Sequence, residues 1–244
     1  MKYIVVVLTL CIIVFHSNET CAQGKVTRKK TESSRIKSVV PKRLVQPKKT
    51  HGYLNGHEWV DLGLPSGTKW ATMNIGATRV TDEGYYYAWG ETSIPSISQE
   101  WNDGTITPIY SRECCRLYGK CMGSISGTSY DMAQSRWGVG WILPEKKDVL
   151  ELEKYCYLEV VNISGVDGYR ISGPNGNSVF FPCTAVYSGR CRPTKGIDTY
   201  SCYWIGAERS KDMGYLLHLG RMDFGIGINN KNVGYAVRAI TRVK

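Results

Sequence analysis

The chain has 244 residues and a formal net charge of +10, from 31 Lys and Arg against 21 Asp and Glu. Almost all of the excess charge lies in residues 24–52, which hold ten Lys/Arg and one Glu, so residues 53–244 carry a net charge of +1. A nearly neutral globular part lacks the basic surface on which nucleic-acid binding depends, and we expect no nucleic-acid partner.

Residues 1–23 have the pattern of a secretory signal peptide. One lysine precedes an apolar run of about 13 residues, and polar and small residues follow as far as Gln23. The run is shorter than the roughly 20 residues that a membrane-spanning helix needs. We therefore expect an exported protein in the periplasm, on the outer cell surface or outside the cell. An uncleaved anchor and a lipidated cysteine are the alternatives.

Residues 24–52 are predicted to be a basic, disordered linker, because high charge and few apolar residues give too little surface to bury. The linker acts as a spacer, or its charge holds it against anionic lipid headgroups or surface polysaccharide. Any membrane contact is expected through this segment. Residues 53–244 have the length of one domain and are long enough to bury a core.

The first half of the domain contains short strand patterns and two helix patterns. Strands are predicted at 58–64 and 68–76, joined by a turn at Pro65–Gly67, and again at 84–91, while residues 92–129 are predicted to be irregular. Helices are predicted at 130–137 and 145–156. The buried side of the second helix is expected to hold Val149, Leu150, Leu152 and Tyr155.

The second half contains strand patterns separated by turns. The predicted strands cover 168–172, 178–182, 200–208, 214–220, 222–229 and 235–240. Short strands around one or two helices predict an α+β fold.

The segment GYYYAWGE, residues 84–91, concentrates aromatic side chains. As a strand it would place Tyr85, Tyr87 and Trp89 on one face and Tyr86 on the other. That face forms part of the core, or it is a platform on which a sugar ring stacks. Glu91 at the end of the segment is a hydrogen-bond anchor for a loop, an exposed charge or a ligand contact.

Several long motifs occur together and in order: WVDLGLPSGTKWATMNIGA (59–77), GYYYAWGE (84–91), WGVGWILPEKKDVLELEKYC (137–156), GYRISGPNGNSVFFP (168–182), YWIGAE (203–208) and GYAVRAI (234–240). They resemble the Fibrobacter succinogenes major paralogous domain, a family of exported bacterial domains, over most of residues 53–244. The chain departs from the family pattern at Ile142, where members usually have Arg. The resemblance implies a C-type-lectin-like fold with curved antiparallel sheets and one or two helices, and a surface or secreted binding module.

Seven cysteines follow the signal segment, and an exported protein is expected to form disulfides among them. The pairs closest in sequence are Cys115 with Cys121 and Cys183 with Cys191. A related fold houses the formylglycine-generating oxidase, which uses a cysteine pair, and Cys191 with Cys202 is the pair to test for that activity. A disulfide is the alternative interpretation of the same two residues.

Metal and catalytic motifs are sparse. The domain has only His57 and His218, and its cysteines lack the spacing of a zinc site. Trp101-Asn102-Asp103 matches the calcium motif of C-type lectins but precedes the helices, so we expect no cofactor, with calcium as the alternative. Carboxylates for a hydrolase could come from Asp61, Glu91, Asp131 or Asp223.

We therefore expect a non-catalytic binding or adhesion module for an extracellular glycan or surface protein. The alternative is an exported enzyme on the same scaffold, either a carbohydrate-active hydrolase or a cysteine oxidase. Binding residues concentrate in loops on a rigid scaffold. The predicted site lies in the late connections at 188–199, 209–214 and 228–234, with the side chains Tyr187, Arg190, Arg192, Lys195, Arg209, Lys211 and Lys231.

Overall fold

The computed structural model describes residues 50–196 and 200–243. The signal segment and nearly all of the linker lie outside the described residues, so both stay predictions. The domain begins at β1, His51–Leu54, two residues before the predicted boundary. Antiparallel strands predominate and two short helices accompany them, which confirms the α+β class. None of the described helices is long and apolar enough to cross a membrane.

One sheet gathers strands from both ends of the domain. Its order is β1, β2 (His57–Asp61), β3 (Lys69–Ala71), β13 (Ile240–Thr241) and β6 (Trp141–Ile142). The predicted pairing of the first two segments is confirmed, since β2 and β3 are antiparallel neighbours. The C-terminal strand lies inside this sheet, where Ile240 is opposite both Trp70 and Ile142.

The other strands form two three-stranded sheets and a hairpin. The first sheet has the order β7 (Tyr157–Ile163), β8 (Val166–Ser172) and β9 (Ser178–Pro182), and the second has β10 (Ser201–Glu208), β11 (Met213–Leu219) and β12 (Phe224–Asn230). Five of these strands were predicted, and β7 was not. The hairpin of β4 (Ser98–Glu100) and β5 (Ile106–Pro108) lies in the segment that was predicted to be irregular.

Both predicted helices form. Helix α1, Met132–Trp137, begins after Asp131, whose carboxylate accepts hydrogen bonds from the N–H groups of Ala133 and Gln134. Helix α2, Lys146–Tyr155, begins with a capping box between Glu145 and Asp148.

The predicted buried face of α2 is partly wrong. Val149 and Leu152 are buried, but Leu150 is 50% and Tyr155 41% exposed. The side chain of Asp148 takes a place in the interior instead, because Arg242 and Thr68 hydrogen-bond to it.

The GYYYAWGE segment is not a regular strand. It makes a single bridge, between Tyr87 and Tyr235, and Trp89 bonds through its backbone N–H to the carbonyl of Lys231. Tyr86 and Ala88 pack in one buried cluster, and Tyr87 and Trp89 pack in the other, so the segment separates the two halves of the core. The core interpretation is confirmed for these residues, whereas Tyr85 is 39% exposed.

Of the strand predicted at 235–240, only the last residue lies in a strand, β13. Only Ile240 and Thr241 belong to a ladder, and Tyr235 and Ala236 make isolated bridges to two different segments. The Arg238 side chain within this stretch is buried, donates to the Asn74 amide oxygen at 2.7 Å and to the Ala71 carbonyl at 3.0 Å, and lies over the Phe181 ring.

Candidate ligand-binding groove

A groove of about 450 Å³ lies between the start of β7 and the turn from β11 to β12. One wall is formed by Cys156, Tyr157 and Leu158, and the other by Arg221, Met222, Asp223 and Phe224. The sequence placed no candidate site here, except that Asp223 was one of four carboxylates considered for hydrolysis.

Local chain geometry builds both walls. Helix α2 ends at Tyr155, and the extended backbone of Cys156 after it (φ −110°, ψ 159°) leads directly into β7 and presents Tyr157 at the junction. On the opposite wall, the Gly220 N–H donates to the Asp223 carbonyl at 2.8 Å and closes the turn. Gly220 is required there, because a Cβ would collide with the Tyr200 ring.

Two large side chains of the groove lining are exposed. Met222 is 90% and Tyr157 is 67% exposed, and they share the lining with the polar residues Arg221 and Asp223. The groove therefore offers apolar and polar groups to a ligand side by side.

A carboxylate and an imidazole lie together at the Asp223 wall. The Asp223 side chain is 46% exposed, and its carboxylate oxygen is 3.6 Å from Nε2 of buried His218. The Tyr200 ring meets the His218 ring edge to face, with centroids 5.1 Å apart. Burial lowers the pKa of His218, although the charge of Asp223 opposes the shift, so the imidazole is neutral at neutral pH. The Asp223 side chain is also hydrogen-bonded to Tyr200 and is 46% exposed on the groove side.

Cys156 is not an activated nucleophile. Burial, with a contribution from the charge of Glu151, raises the pKa of its thiol to about 12. At neutral pH the thiol is therefore protonated, and the thiolate is the nucleophilic form. Cysteine chemistry in this groove is not favoured.

The late connections that were predicted to bind ligand are mostly occupied by contacts within the chain. The Arg192 guanidinium forms an ion pair with Asp103 and lies 5.8 Å from the centroid of the Trp101 ring. Lys195 pairs with Glu83.

Tyr187 packs against two other tyrosine rings. Its ring centroid is 4.5 Å from that of Tyr86 and 5.8 Å from that of Tyr110, and its backbone bridges to Gly234. Tyr187, the one aromatic residue of the predicted site, therefore holds its loop against the core.

Lys231 was predicted to be a surface contact, and that prediction is wrong. Its side chain is fully buried, and the ammonium lies 2.6 Å from the Glu208 carboxylate and 2.8 Å from the Lys120 carbonyl. The ammonium also lies 4.4 Å from the centroid of the Trp89 ring. Burial of a lysine requires such a partner, and the pair fixes the loop around residue 120.

The remaining predicted contacts, Arg190, Arg209 and Lys211, are exposed. The loops that carry them are held by contacts with different segments of the chain. Gly189, next to Arg190, bridges to Tyr110, whereas the Lys211 carbonyl accepts from the Gly119 N–H at 2.9 Å. Each remains a candidate contact on its own loop.

Three of the four candidate carboxylates have structural roles. The buried Asp131 carboxylate accepts from four backbone N–H groups, including those of Gly127 and Leu143. Glu91 is buried and accepts from the Arg116 backbone and guanidinium, which confirms its role as a loop anchor. Asp61 accepts from the Gly63 N–H within a turn.

In the described part of the structure, the seven cysteines after the signal segment are not joined in disulfides. Each predicted pair joins a buried and an exposed residue: Cys115, Cys183 and Cys202 are buried, and Cys121 and Cys191 are exposed. The predicted disulfides are therefore not formed here. The Cys115 thiol instead lies 3.4 Å from the Lys231 carbonyl.

The Trp101-Asn102-Asp103 triplet lies at the tip of the β4–β5 hairpin. Asp103 is engaged by Arg192 and by the Thr105 N–H, so its carboxylate is not arranged for calcium. Within residues 50–196 and 200–243, no group of three or more His, Cys, Asp or Glu is placed to hold a metal ion.

No family model, curated protein or solved structure matches the chain. The resemblance to the Fibrobacter succinogenes major paralogous domain therefore stays a prediction. The geometry of the groove is the basis on which a function is assigned.

Proposed function

We propose that the protein is an exported, non-catalytic binding module that holds an extracellular glycan in the groove between β7 and the β11–β12 turn. The fold that we propose for the module is C-type-lectin-like. The observation that carries the proposal is the exposed Tyr157 ring, which lines the same groove as Asp223 and Arg221.

This combination suits a sugar. An exposed aromatic ring offers an apolar face to the C–H groups of a pyranose, and it loses little conformational freedom on binding. A carboxylate accepts hydrogen bonds from hydroxyl groups, and a guanidinium donates them. Polar groups placed beside apolar ones in a concave site give orientation and specificity.

Binding without turnover is supported by the use of the other candidate carboxylates. Asp131, Glu91 and Asp61 are all engaged by groups of the chain itself. One pair favours the enzyme alternative, namely Asp223 with His218 at 3.6 Å. A hydrolase at this groove would use Asp223 together with a second carboxylate, and Glu153 near Gly225 is the candidate for it.

The test is a panel of neutral and acidic oligosaccharides and extracellular matrix proteins, with binding measured by calorimetry and products by chromatography. The proposal expects one glycan class to bind without product. Tyr157→Ala and Asp223→Asn should each weaken binding by about tenfold or more, the effect of losing roughly 1.4 kcal/mol.

Tyr53→Ala is the matched control, because Tyr53 is 71% exposed on β1 and belongs to another sheet. It should bind as the parent does. Release of product that is abolished by Asp223→Asn would replace the binding module by a hydrolase. Binding to a protein alone, or binding that neither groove variant changes, would overturn the glycan assignment.

A further inference from the structure

Strand β7 is an edge strand, and in the described part of the chain no strand pairs with its outer side. The sheet order is β7-β8-β9, and β7 pairs with β8 at every residue from Tyr157 to Ile163 without a bulge. The two strands are joined by Ser164 and Gly165, both with positive φ, which is the geometry of a tight hairpin turn.

The hydrogen bonds of β8 show which side each of its residues serves. The Cys183 N–H donates to the Asp167 carbonyl at 2.9 Å, and the Gly173 N–H donates to the Asn177 carbonyl at 2.8 Å. In an antiparallel ladder, alternate residues bond to alternate neighbours. The odd-numbered residues of β8 therefore bond towards β9. Pro182, which has no N–H, fits this pattern because it lies opposite the even-numbered Gly168.

The even-numbered residues of β8 consequently bond towards β7, and their partners there are Tyr157, Glu159, Val161 and Ile163. The alternate residues Leu158, Val160 and Asn162 direct their N–H and C=O groups away from the sheet. Across the described part of the chain, their backbone groups make no hydrogen bond outside the ladder. These groups form a row of unpaired donors and acceptors, which is the template for adding another strand.

Nothing in β7 blocks strand addition. Its sequence, YLEVVNI, contains no proline, lysine or arginine, and β-branched and aromatic residues predominate. Natural edge strands are usually protected by proline, by charged residues such as lysine, or by bulges. Val160 is 41% exposed, and the charge of Glu159 is balanced by Arg170 on the neighbouring strand, at 3.6 Å.

We infer that β7 pairs with β7 of a second copy of this chain, antiparallel, about a two-fold axis at Val160. This register places Val160 opposite Val160, and Leu158 opposite Asn162, so the outward groups of one copy meet those of the other. Glu159 lies opposite Val161, and no like charges face each other across the interface. A two-fold contact of this kind is self-complementary, as homodimer interfaces are.

Hydrogen exchange of the full-length protein at low and high concentration tests the register directly. Dimer formation should slow exchange of the Leu158, Val160 and Asn162 amides as concentration rises. The Glu159 and Val161 amides, already bonded to β8, should be protected at both concentrations. Equal exchange of the outward amides at all concentrations, with a monomer by sedimentation, would overturn the proposal.

Val160→Lys places two ammonium groups face to face across the axis and should weaken self-association by about tenfold or more. Ile106→Lys is the matched control, since Ile106 is a 65% exposed strand residue on the β4–β5 hairpin. It should dimerise as the parent does.

A dimer that survives Val160→Lys would lie at another interface and would contradict the proposal. Protection of the outward amides that appears only with an added extended peptide, and never with a dimer, would assign the edge to a foreign strand. If Val160→Lys fails to fold, the exchange measurement on the parent protein decides.

Discussion

Lys231 and Glu208 form an ion pair inside the domain: Nζ lies 2.6 Å from the carboxylate, and the two side chains are 0% and 9% exposed. The other Glu208 oxygen accepts from the N–H groups of Met122 and Gly123 at 2.7 and 2.6 Å. The pair therefore joins the end of β10, the β12 connection and the loop at 120–123. Hydrogen bonding to Lys231 and these backbone groups holds the pKa of Glu208 below its ordinary value despite burial.

Breaking this pair from one side should be costly. Glu208→Gln leaves the Lys231 ammonium buried without its counter-charge, and a loss of about 3–5 kcal/mol in the free energy of unfolding is expected. Denaturant unfolding measures it. Lys231→Met in the Glu208→Gln background should recover part of the loss, because the unpaired charge is then gone. If the free energy of unfolding of Glu208→Gln lies within about 0.5 kcal/mol of that of the parent, the structural role of the pair is contradicted.

Trp89 packs in one of the two core clusters and hydrogen-bonds to a residue of the other. Its side chain is fully buried, and its Nε1–H donates to the Ile205 carbonyl at 2.9 Å. Trp89→Ala should destabilise the domain by about 3–5 kcal/mol through lost burial and the cavity that remains. Thermal unfolding measures the change, with Tyr53→Ala as an exposed aromatic control. An unchanged melting temperature in Trp89→Ala would show that the ring is not part of the core.

The C-terminal strand is tied to helix α2 by Arg242, whose Nη2 lies 2.8 Å from both carboxylate oxygens of buried Asp148. Arg242→Ala should cost about 1.5–3 kcal/mol, because a buried carboxylate loses its charged donor. Arg242→Lys keeps the charge, but its ammonium does not reproduce the position of Nη2 between the two oxygens, so an intermediate loss is expected. Equal stability of all three proteins, measured by denaturant unfolding, would show that the contact does not stabilise the fold.

Two histidines give the stability a pH dependence of known sign. Burial lowers the pKa of His218 and of His57 from the ordinary value of 6.5. Because their pKa is lowered, these histidines bind protons in the unfolded chain at a pH at which they stay neutral in the folded chain. Their contribution to the free energy of unfolding is therefore fully present above about pH 6.5. It is lost as the pH falls from there through the lower pKa of the folded state. His218→Gln should make the slope between pH 7 and 5 shallower. A slope identical to that of the parent would contradict burial of a neutral imidazole.

Elements with local signals could be predicted from the sequence. Asp131 caps α1, and Glu145 with Asp148 caps α2. The predicted start of each helix therefore lies within about two residues of the observed one. Short strand-like runs between turns marked by Gly, Asn and Pro likewise predict the strands β8 to β12. Asp148 was missed as an interior residue, because its partner Arg242 is far away in the sequence.

The errors concern residues whose environment is set by distant segments. GYYYAWGE has the composition of a strand, but its backbone makes only isolated contacts with residues 231 and 235, and these do not form a ladder. Lys231 looks like a loop lysine until Glu208 and Trp89 are placed around it. The groove was missed because its walls lie about 65 residues apart in the chain. The tyrosines on either side of Cys156 were the one local sign of it.

The most direct test of the binding groove is methyl NMR of the methionine side chains during a titration with the glycan that the panel identifies. Met222 is 90% exposed at the rim, whereas Met132 is fully buried and reports only on the fold. The account predicts that the Met222 methyl signal shifts in a saturable manner, that Met132 does not shift, and that Tyr157→Ala abolishes the response. Saturable binding that leaves the Met222 signal in place would contradict the groove as the site.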